Sequence, residues 1–129
     1  MIGVDTNILV RYLTKDDEQQ WEKATEIIEG GEQCFVANIV LCELVWVLRG
    51  KPYQFNIEEI STTLEMMLQC SVFVLEKRAL VYQALERFKQ GSADFSDFLI
   101  GAITQQSGCS ITATFDRKLS GEKGFELLD

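Results

Sequence analysis

Histidine is absent from the 129-residue sequence. Without an imidazole side chain, the chain cannot form the Ser-His and Cys-His pairs in which histidine activates a nucleophile. This absence excludes most hydrolase mechanisms that use an imidazole base. Any catalysis must therefore use carboxylates, or something that carboxylates hold.

Cysteine is scarce and scattered. There are four cysteines, and no two of them form a Cys-x-x-Cys pair: Cys34, Cys42, Cys70 and Cys109. A zinc site needs thiolates or imidazoles at close spacing, and disulfide scaffolds are shorter and richer in cysteine. We therefore expect reduced thiols, as in cytosolic proteins.

Positive charge is also in short supply, since 12 Lys and Arg residues stand against 20 Asp and Glu residues, for a net charge of −8. This balance argues against broad, nonspecific binding to nucleic acid or to an anionic membrane. It leaves open a phosphate substrate that is bridged by a metal ion.

A cationic leader and long hydrophobic runs are both missing. The chain begins Met-Ile-Gly-Val-Asp, and Glu43 interrupts the longest apolar stretch. Neither a signal peptide nor a membrane-spanning helix is predicted. We expect a soluble cytoplasmic protein.

What is present is an alternation of short apolar runs with amphipathic segments. With 47% hydrophobic residues, one globular domain is expected over residues 1–129. Apolar runs predict strands at 2–4, 34–37, 71–75, 110–113 and within 125–128; helical periodicity predicts helices at 8–13, 17–29, 39–49, 56–68, 77–89 and 94–106. This order predicts an α/β fold, a three-layer α/β/α sandwich with a central, mainly parallel sheet of four to five strands.

Polar residues mark the expected helix starts. Thr6 or Asn7 is predicted to cap the first helix, and Asn38 the third. Asn56 with Glu59 three positions later is the pattern of a capping box at the start of the fourth helix.

Several acids stand where a parallel sheet binds ligands. Asp5 and Asp116 follow predicted strands, and ligands bind beyond the carboxyl ends of such strands. The alternative for each is that it caps the next helix. Asp94 and Asp97 lie on one face at the start of a helix, where the helix dipole favours acids in any case.

Glu43 is the charged residue inside the apolar stretch from Ile39 to Leu48. Helix geometry is expected to bury much of that stretch, and a buried carboxylate is costly unless it is paired, protonated or bound to metal. The alternative is that Glu43 faces solvent or pairs with a base such as Arg49.

Carboxylates that converge without a basic partner repel one another, so such a site makes physical sense mainly around a divalent cation. Oxygen ligands without imidazole or thiolate select Mg²⁺ or Mn²⁺. A cation of this kind binds phosphate oxygens and lowers the pKa of a water molecule. The chemistry predicted is hydrolysis of a phosphodiester.

Four separated motifs occur in one order along the chain: Asp5-Thr6-Asn7, Glu43 in the helix after the second strand, residues 94–102 (DFSDFLIGA) and residues 112–117 (TATFDR). This arrangement resembles the PIN-domain ribonucleases, specifically the VapC-type toxins of bacterial toxin–antitoxin pairs. The resemblance covers essentially the whole chain. One departure is Gly101, where such helices more often carry alanine; we expect it to affect helix packing rather than chemistry.

The resemblance implies a set of site residues. Asp5, Glu43 and Asp97 would be the main acids that coordinate Mg²⁺ or Mn²⁺, Asp116 would complete the quartet, and Asp94 would be an additional ligand. Two polar residues would lie beside the metal and orient waters or carboxylates, namely Asn7 and Thr114.

The resemblance also implies an activity and partners. Such proteins cut single-stranded RNA, often at a defined tRNA or rRNA site, by in-line attack of a metal-activated water that leaves a 5′-phosphate and a 3′-hydroxyl. A VapB-like antitoxin that folds on binding and inserts an Arg or Lys toward the acids is expected, as is a homodimer.

Two groups of residues are candidates for binding these partners, although each member has a plainer interpretation. The bases that could contact RNA, or simply be solvated, are Arg11, Arg49, Lys51, Arg117 and Lys118. The apolar residues that could form a dimer or antitoxin surface, or simply pack in the core, are Val45, Trp46, Tyr53 and Phe55.

Three alternatives compete with the ribonuclease interpretation. A receiver-type signalling domain needs an acceptor aspartate after its central strand, whereas the third strand here ends in Leu75-Glu76-Lys77. A haloacid-type phosphatase needs Asp-x-Asp, whereas this chain has Asp5-Thr6-Asn7. A catalytically inactive PIN fold that acts as an interaction module would tolerate the loss of its acids without functional change.

Overall fold

Two short parallel sheets organise the chain in the computed structural model, which describes all residues 1–129. The chain divides into two compact units, Met1–Arg78 and Ala79–Asp129. The predicted α/β class, with helices between parallel strands, is confirmed.

The first unit contains three strands and four helices. Its elements are β1 (Ile2–Gly3), α1 (Thr6–Thr14), α2 (Glu18–Ile28), β2 (Cys34–Val36), α3 (Asn38–Arg49), α4 (Ile57–Gln69) and β3 (Phe73–Leu75). The strand order is β1-β2-β3, with Ile2 opposite Cys34 and Val36 opposite Leu75. Since all three strands are parallel, their carboxyl ends lie at one edge, which Asp5 and Glu76 follow in sequence.

The core of the first unit follows from helical spacing. Leu41, Leu44 and Leu48 recur every three or four residues along α3 and are fully buried. Burying a leucine side chain contributes about 1.5–3 kcal/mol. This stripe fixes the rotation of α3, and the rotation decides which residues on the other side of the helix face solvent.

The second unit contains two helices and two strands, with a short 3-10 helix between the strands. Its elements are α5 (Arg78–Gln90, whose first residue ends the first unit), α6 (Phe95–Gln106), β4 (Thr112–Thr114), the 3-10 helix Arg117–Leu119 and β5 (Phe125–Leu127). β4 and β5 are parallel, with Thr112 opposite Phe125 and Thr114 opposite Leu127.

Aromatic side chains form the core of the second unit. Phe88 of α5 and Phe95 of α6 are fully buried and meet edge to face, with ring centroids 6.2 Å apart. Phe98 is also fully buried, and the Arg87 guanidinium lies 5.0 Å from the centre of its ring. These contacts hold α6, the helix that carries Asp97, against α5.

Some helix starts differ from the prediction. The capping box of α4 is confirmed, because Glu59 donates its amide to Asn56 Oδ1 at 2.8 Å and accepts the Asn56 amide at 3.0 Å. Neither Thr6 nor Asn7 caps α1, since the carboxylate of Asp5 accepts the helix amide and the helix begins at Thr6.

The prediction for the start of α3 was wrong as well. Asn38 is the first residue of α3 and does not cap it with its side chain. Instead, Glu76 from the end of β3 accepts the Asn38 amide at 2.9 Å. A carboxylate that is distant in sequence supplies the acceptor here, so local sequence could not reveal it.

The bounds of β4 are also shifted, because the strand covers Thr112–Thr114 rather than 110–113.

No helix of the structure combines the length and the apolar character that crossing a membrane requires.

Candidate active site

Asp5 lies directly after β1 and serves as the N-cap of α1. Its Oδ1 accepts the Ile8 amide at 3.2 Å, which leaves the other carboxylate oxygen available. The side chain is exposed at the carboxyl edge of the sheet. The capping alternative is therefore correct for Asp5, and it is compatible with a ligand role because only one oxygen is engaged.

Glu43 is exposed, so the expected burial of this carboxylate was wrong. The leucine stripe of α3 faces inward, and Glu43 lies on the opposite side, between Ile39 and Trp46, which are 71% and 80% exposed. Thr6 Oγ1 donates a hydrogen bond of 2.8 Å to Glu43 Oε1. This bond places Glu43 beside the residue that follows Asp5.

The second unit carries three acids of the predicted set. Asp97, in the first turn of α6, accepts the amide of the N-cap residue Asp94 at 3.1 Å. Burial raises the pKa of Asp97, and the charges of Asp94 and Asp116 raise it further, whereas the Asp94 amide and Lys118 lower it. Asp94 and Asp116 are therefore each near enough to Asp97 for their negative charges to disfavour its ionised form.

Asp116 follows β4 after the exposed Phe115. Its Oδ1 accepts the Lys118 amide at 2.9 Å, so it caps the 3-10 helix Arg117–Leu119. Its own amide donates to Thr114 Oγ1 at 3.0 Å. Thr114, one of the predicted polar neighbours, thus orients the backbone at Asp116.

The carboxylates of the predicted set have oxygen atoms that no ion pair engages. Ion pairs of the structure use other acids, among them Asp16, Glu32, Glu86 and Glu122. Oxygen donors of this kind suit Mg²⁺ or Mn²⁺. Within either unit, no group of three or more acidic or cysteine side chains lies close enough to hold a metal ion. The donor chemistry fits a divalent cation, and each unit supplies only part of the predicted set.

Asp5 and Asn7 line a cavity of about 620 Å³ in the first unit. Its walls come from α1 and α2 and include Arg11, Gln20 and Lys23. Arg11 is already engaged: its Nη1 lies 2.9 Å from Asp16 Oδ1, and its Nε donates to Gln20 Oε1 at 2.5 Å. The carboxylate of Asp16 raises the pKa of Arg11.

Sequence reasoning missed two residues of this region. Thr6 was considered only as a helix cap, although its position beside Asp5 makes its hydroxyl a natural partner for a neighbouring acid. Lys23 was not among the predicted bases, because nothing in the local sequence of α2 connects it with Asp5.

The apolar residues predicted as candidates for a partner surface differ in how exposed they are in the structure. Val45 is buried and belongs to the core, whereas Tyr53 and Phe55 are half-buried. Trp46 does not pack in the core. Together with Ile39 it leaves an apolar stripe on the outer face of α3, on either side of Glu43.

Comparison with known proteins identifies the family of the chain. The family model described as the PIN domain matches residues 2–121, so the chain belongs to the PIN domain family. The chain is also similar to a protein of Aquifex aeolicus (strain VF5) named VapC ribonuclease. The two are 24% identical over 129 residues, which cover 98% of this chain and 94% of that protein. The family resemblance that the four motifs predicted is thereby confirmed.

Proposed function

We propose that this protein is a Mg²⁺- or Mn²⁺-dependent endoribonuclease and the toxin of a toxin–antitoxin pair. The observation that carries the proposal is the contact between Glu43 and Thr6, in which an exposed acid on an apolar helix lies beside the residue that follows Asp5. Family membership and the similarity to a VapC ribonuclease support it.

The proposed ligands are Asp5, Glu43, Asp97 and Asp116, with Asp94 as an additional one. When bound, the cation would bind a phosphate oxygen and lower the pKa of the attacking water. Asp5 and Glu43 each have one oxygen free of the hydrogen bonds that hold them. Thr6 and the Ile8 amide fix the orientation of those carboxylates, so the free oxygens need little reorganisation to bind a ligand.

Two polar residues complete the proposed site. The exposed amide of Asn7, in the same cavity as Asp5, can orient a water molecule or a phosphate oxygen. Thr114 holds the amide of Asp116 and so sets the direction of that carboxylate. Neither residue has to accept a proton, which agrees with a chain that lacks histidine.

The partners belong to the same proposal. We place the protein in the cytoplasm, as a homodimer that a VapB-like antitoxin inhibits. The exposed Ile39 and Trp46 on α3 support a protein-covered surface, because large exposed apolar patches mark interaction sites.

The test is to map RNA 5′-phosphate ends across the transcriptome after inducing the protein in bacteria, and to compare Asp97→Asn at equal expression. Asp17→Asn is the matched control: Asp17 also caps a helix, by accepting the Gln20 amide at 3.0 Å, and it lies outside the proposed site. We expect new ends at a few sites with the wild type and with Asp17→Asn, and at least about a hundredfold fewer with Asp97→Asn.

A second measurement does not depend on finding the target. Binding of Mn²⁺ to the purified protein, followed by electron paramagnetic resonance, should weaken in Asp97→Asn and in Glu43→Gln but not in Asp17→Asn. If the three variants bind Mn²⁺ and generate RNA ends as the wild type does, the acids are not ligands and the inactive interaction module is the better interpretation.

A further inference from the structure

The cavity beside Asp5 contains a positive charge that the fold leaves unused. Lys23 of α2 lines this cavity together with Asp5 and Asn7, is exposed, and makes no ion pair or hydrogen bond. The other cation of the cavity, Arg11, is paired with Asp16. In a chain of net charge −8, Lys23 is thus a positive charge of this cavity that has no ion-pair partner.

The other walls of the cavity suit a polar polymer with apolar surfaces. Asn7 and Gln20 offer amide groups, and Ile27 offers an exposed apolar surface. The volume of about 620 Å³ falls in the range of ligand sites. Amides can hydrogen-bond to ribose and base edges, and an ammonium group binds phosphate as a point charge.

We infer that this cavity binds the RNA strand next to the cut, with Lys23 contacting a phosphate adjacent to the one held at the acids. The inference rests on the proposed function and specifies where its substrate runs. The charges favour RNA over a basic segment of an antitoxin, because Lys23 would repel an Arg or Lys that enters toward Asp5.

The test measures binding of a short, fluorescently labelled single-stranded RNA of random sequence. Ca²⁺, which also takes oxygen ligands, replaces Mg²⁺ so that the RNA is not consumed. The variant is Lys23→Gln, and the matched control is Lys123→Gln, which removes the same charge from an exposed residue outside the cavity. Gln is close to Lys in helix propensity, so α2 should be retained.

The decisive readout is the salt dependence of binding. Each phosphate contact on a single strand contributes about 0.7 to the slope of log K against log salt concentration. We expect Lys23→Gln to lower that slope by about 0.7 and to weaken binding roughly two- to fivefold at low salt. Lys123→Gln should leave the slope unchanged, and Lys23→Arg should retain it.

The outcomes separate this inference from the proposed function. If the wild type generates RNA ends in the mapping experiment but Lys23→Gln has the slope of Lys123→Gln, the subsite is wrong and the ribonuclease proposal stands. If the wild type neither binds RNA nor generates ends, both are wrong. If Lys23→Gln binds RNA normally but escapes inhibition by the antitoxin, the cavity belongs to the protein partner and the inference is overturned.

Discussion

Replacing Gly101 with alanine should destabilise the protein, although alanine is the better helix former. A Cβ atom at position 101 would lie 2.6 Å from Cζ and 2.9 Å from Cε2 of Phe125. Carbon atoms pack at about 3.5–4.0 Å, so the ring would have to move by about 1 Å. Pairing of Phe125 with Thr112 holds its backbone, which leaves only side-chain rotation to relieve the clash.

The magnitude follows from two opposing contributions. Alanine in place of glycine inside a helix stabilises by about 1 kcal/mol. Overpacking costs about 1–3 kcal/mol, and moving the ring disturbs its contact with the Arg87 guanidinium, now 5.7 Å from the ring centre. We expect a net loss of about 1 kcal/mol in the free energy of unfolding.

Urea unfolding monitored by far-ultraviolet circular dichroism measures this change. The control is the same substitution in a Phe125→Leu background, where the clashing ring is absent and Gly101→Ala should stabilise by about 1 kcal/mol. The change of sign between the two backgrounds is the diagnostic. A stabilisation of about 1 kcal/mol in both backgrounds would refute the reasoning, because it would show that Phe125 does not restrict position 101.

Two further substitutions test local interactions. Asn56→Ala removes the cap of α4 and should lower the free energy of unfolding by about 1 kcal/mol. Asn56→Ser keeps a capping oxygen and should retain most of the wild-type stability. Tyr12 Oη donates a 2.7 Å hydrogen bond to Glu29, which raises the pKa of Tyr12 to about 12. The contribution of this hydrogen bond to stability is complete below the unfolded-state pKa of tyrosine, about 10, and is lost as pH rises toward 12. Tyr12→Phe should therefore lower the free energy of unfolding by about 1 kcal/mol at pH 7 and by progressively less above pH 10. Urea unfolding at several pH values measures this difference, and a constant difference would contradict the assignment.

The sequence predicted those parts of the fold that depend on local chemistry. The capping box of Asn56 and Glu59 and the end of α3 at residue 49 are encoded within a few residues, and both predictions are confirmed. The acceptor that Glu76 supplies to α3 could not be predicted, because it depends on how two strands pair.

The exposure of Glu43 illustrates a different limit of prediction from sequence. The α3 segment is apolar on nearly every side, and such a pattern usually predicts a buried helix. Apolar residues of similar character occupy both faces, so periodicity could not show that the leucines point inward while Ile39 and Trp46 point outward. Glu43 was singled out on an expectation of burial that the structure contradicts, and its role as a metal ligand stays a prediction.

Three of the four acids proposed as the main ligand set also stabilise the fold. Asp5, Asp97 and Asp116 each accept a backbone amide where a helix begins, whereas Glu43 accepts only the hydroxyl of Thr6. Under the proposed function, a descendant that had lost catalysis would still be under selection to keep the first three, and only Glu43 would be free to drift. The residue at position 43 would then be the informative marker of the proposed activity among relatives of this chain. Asparagine, which preserves an acceptor oxygen, is the appropriate replacement at the other three positions.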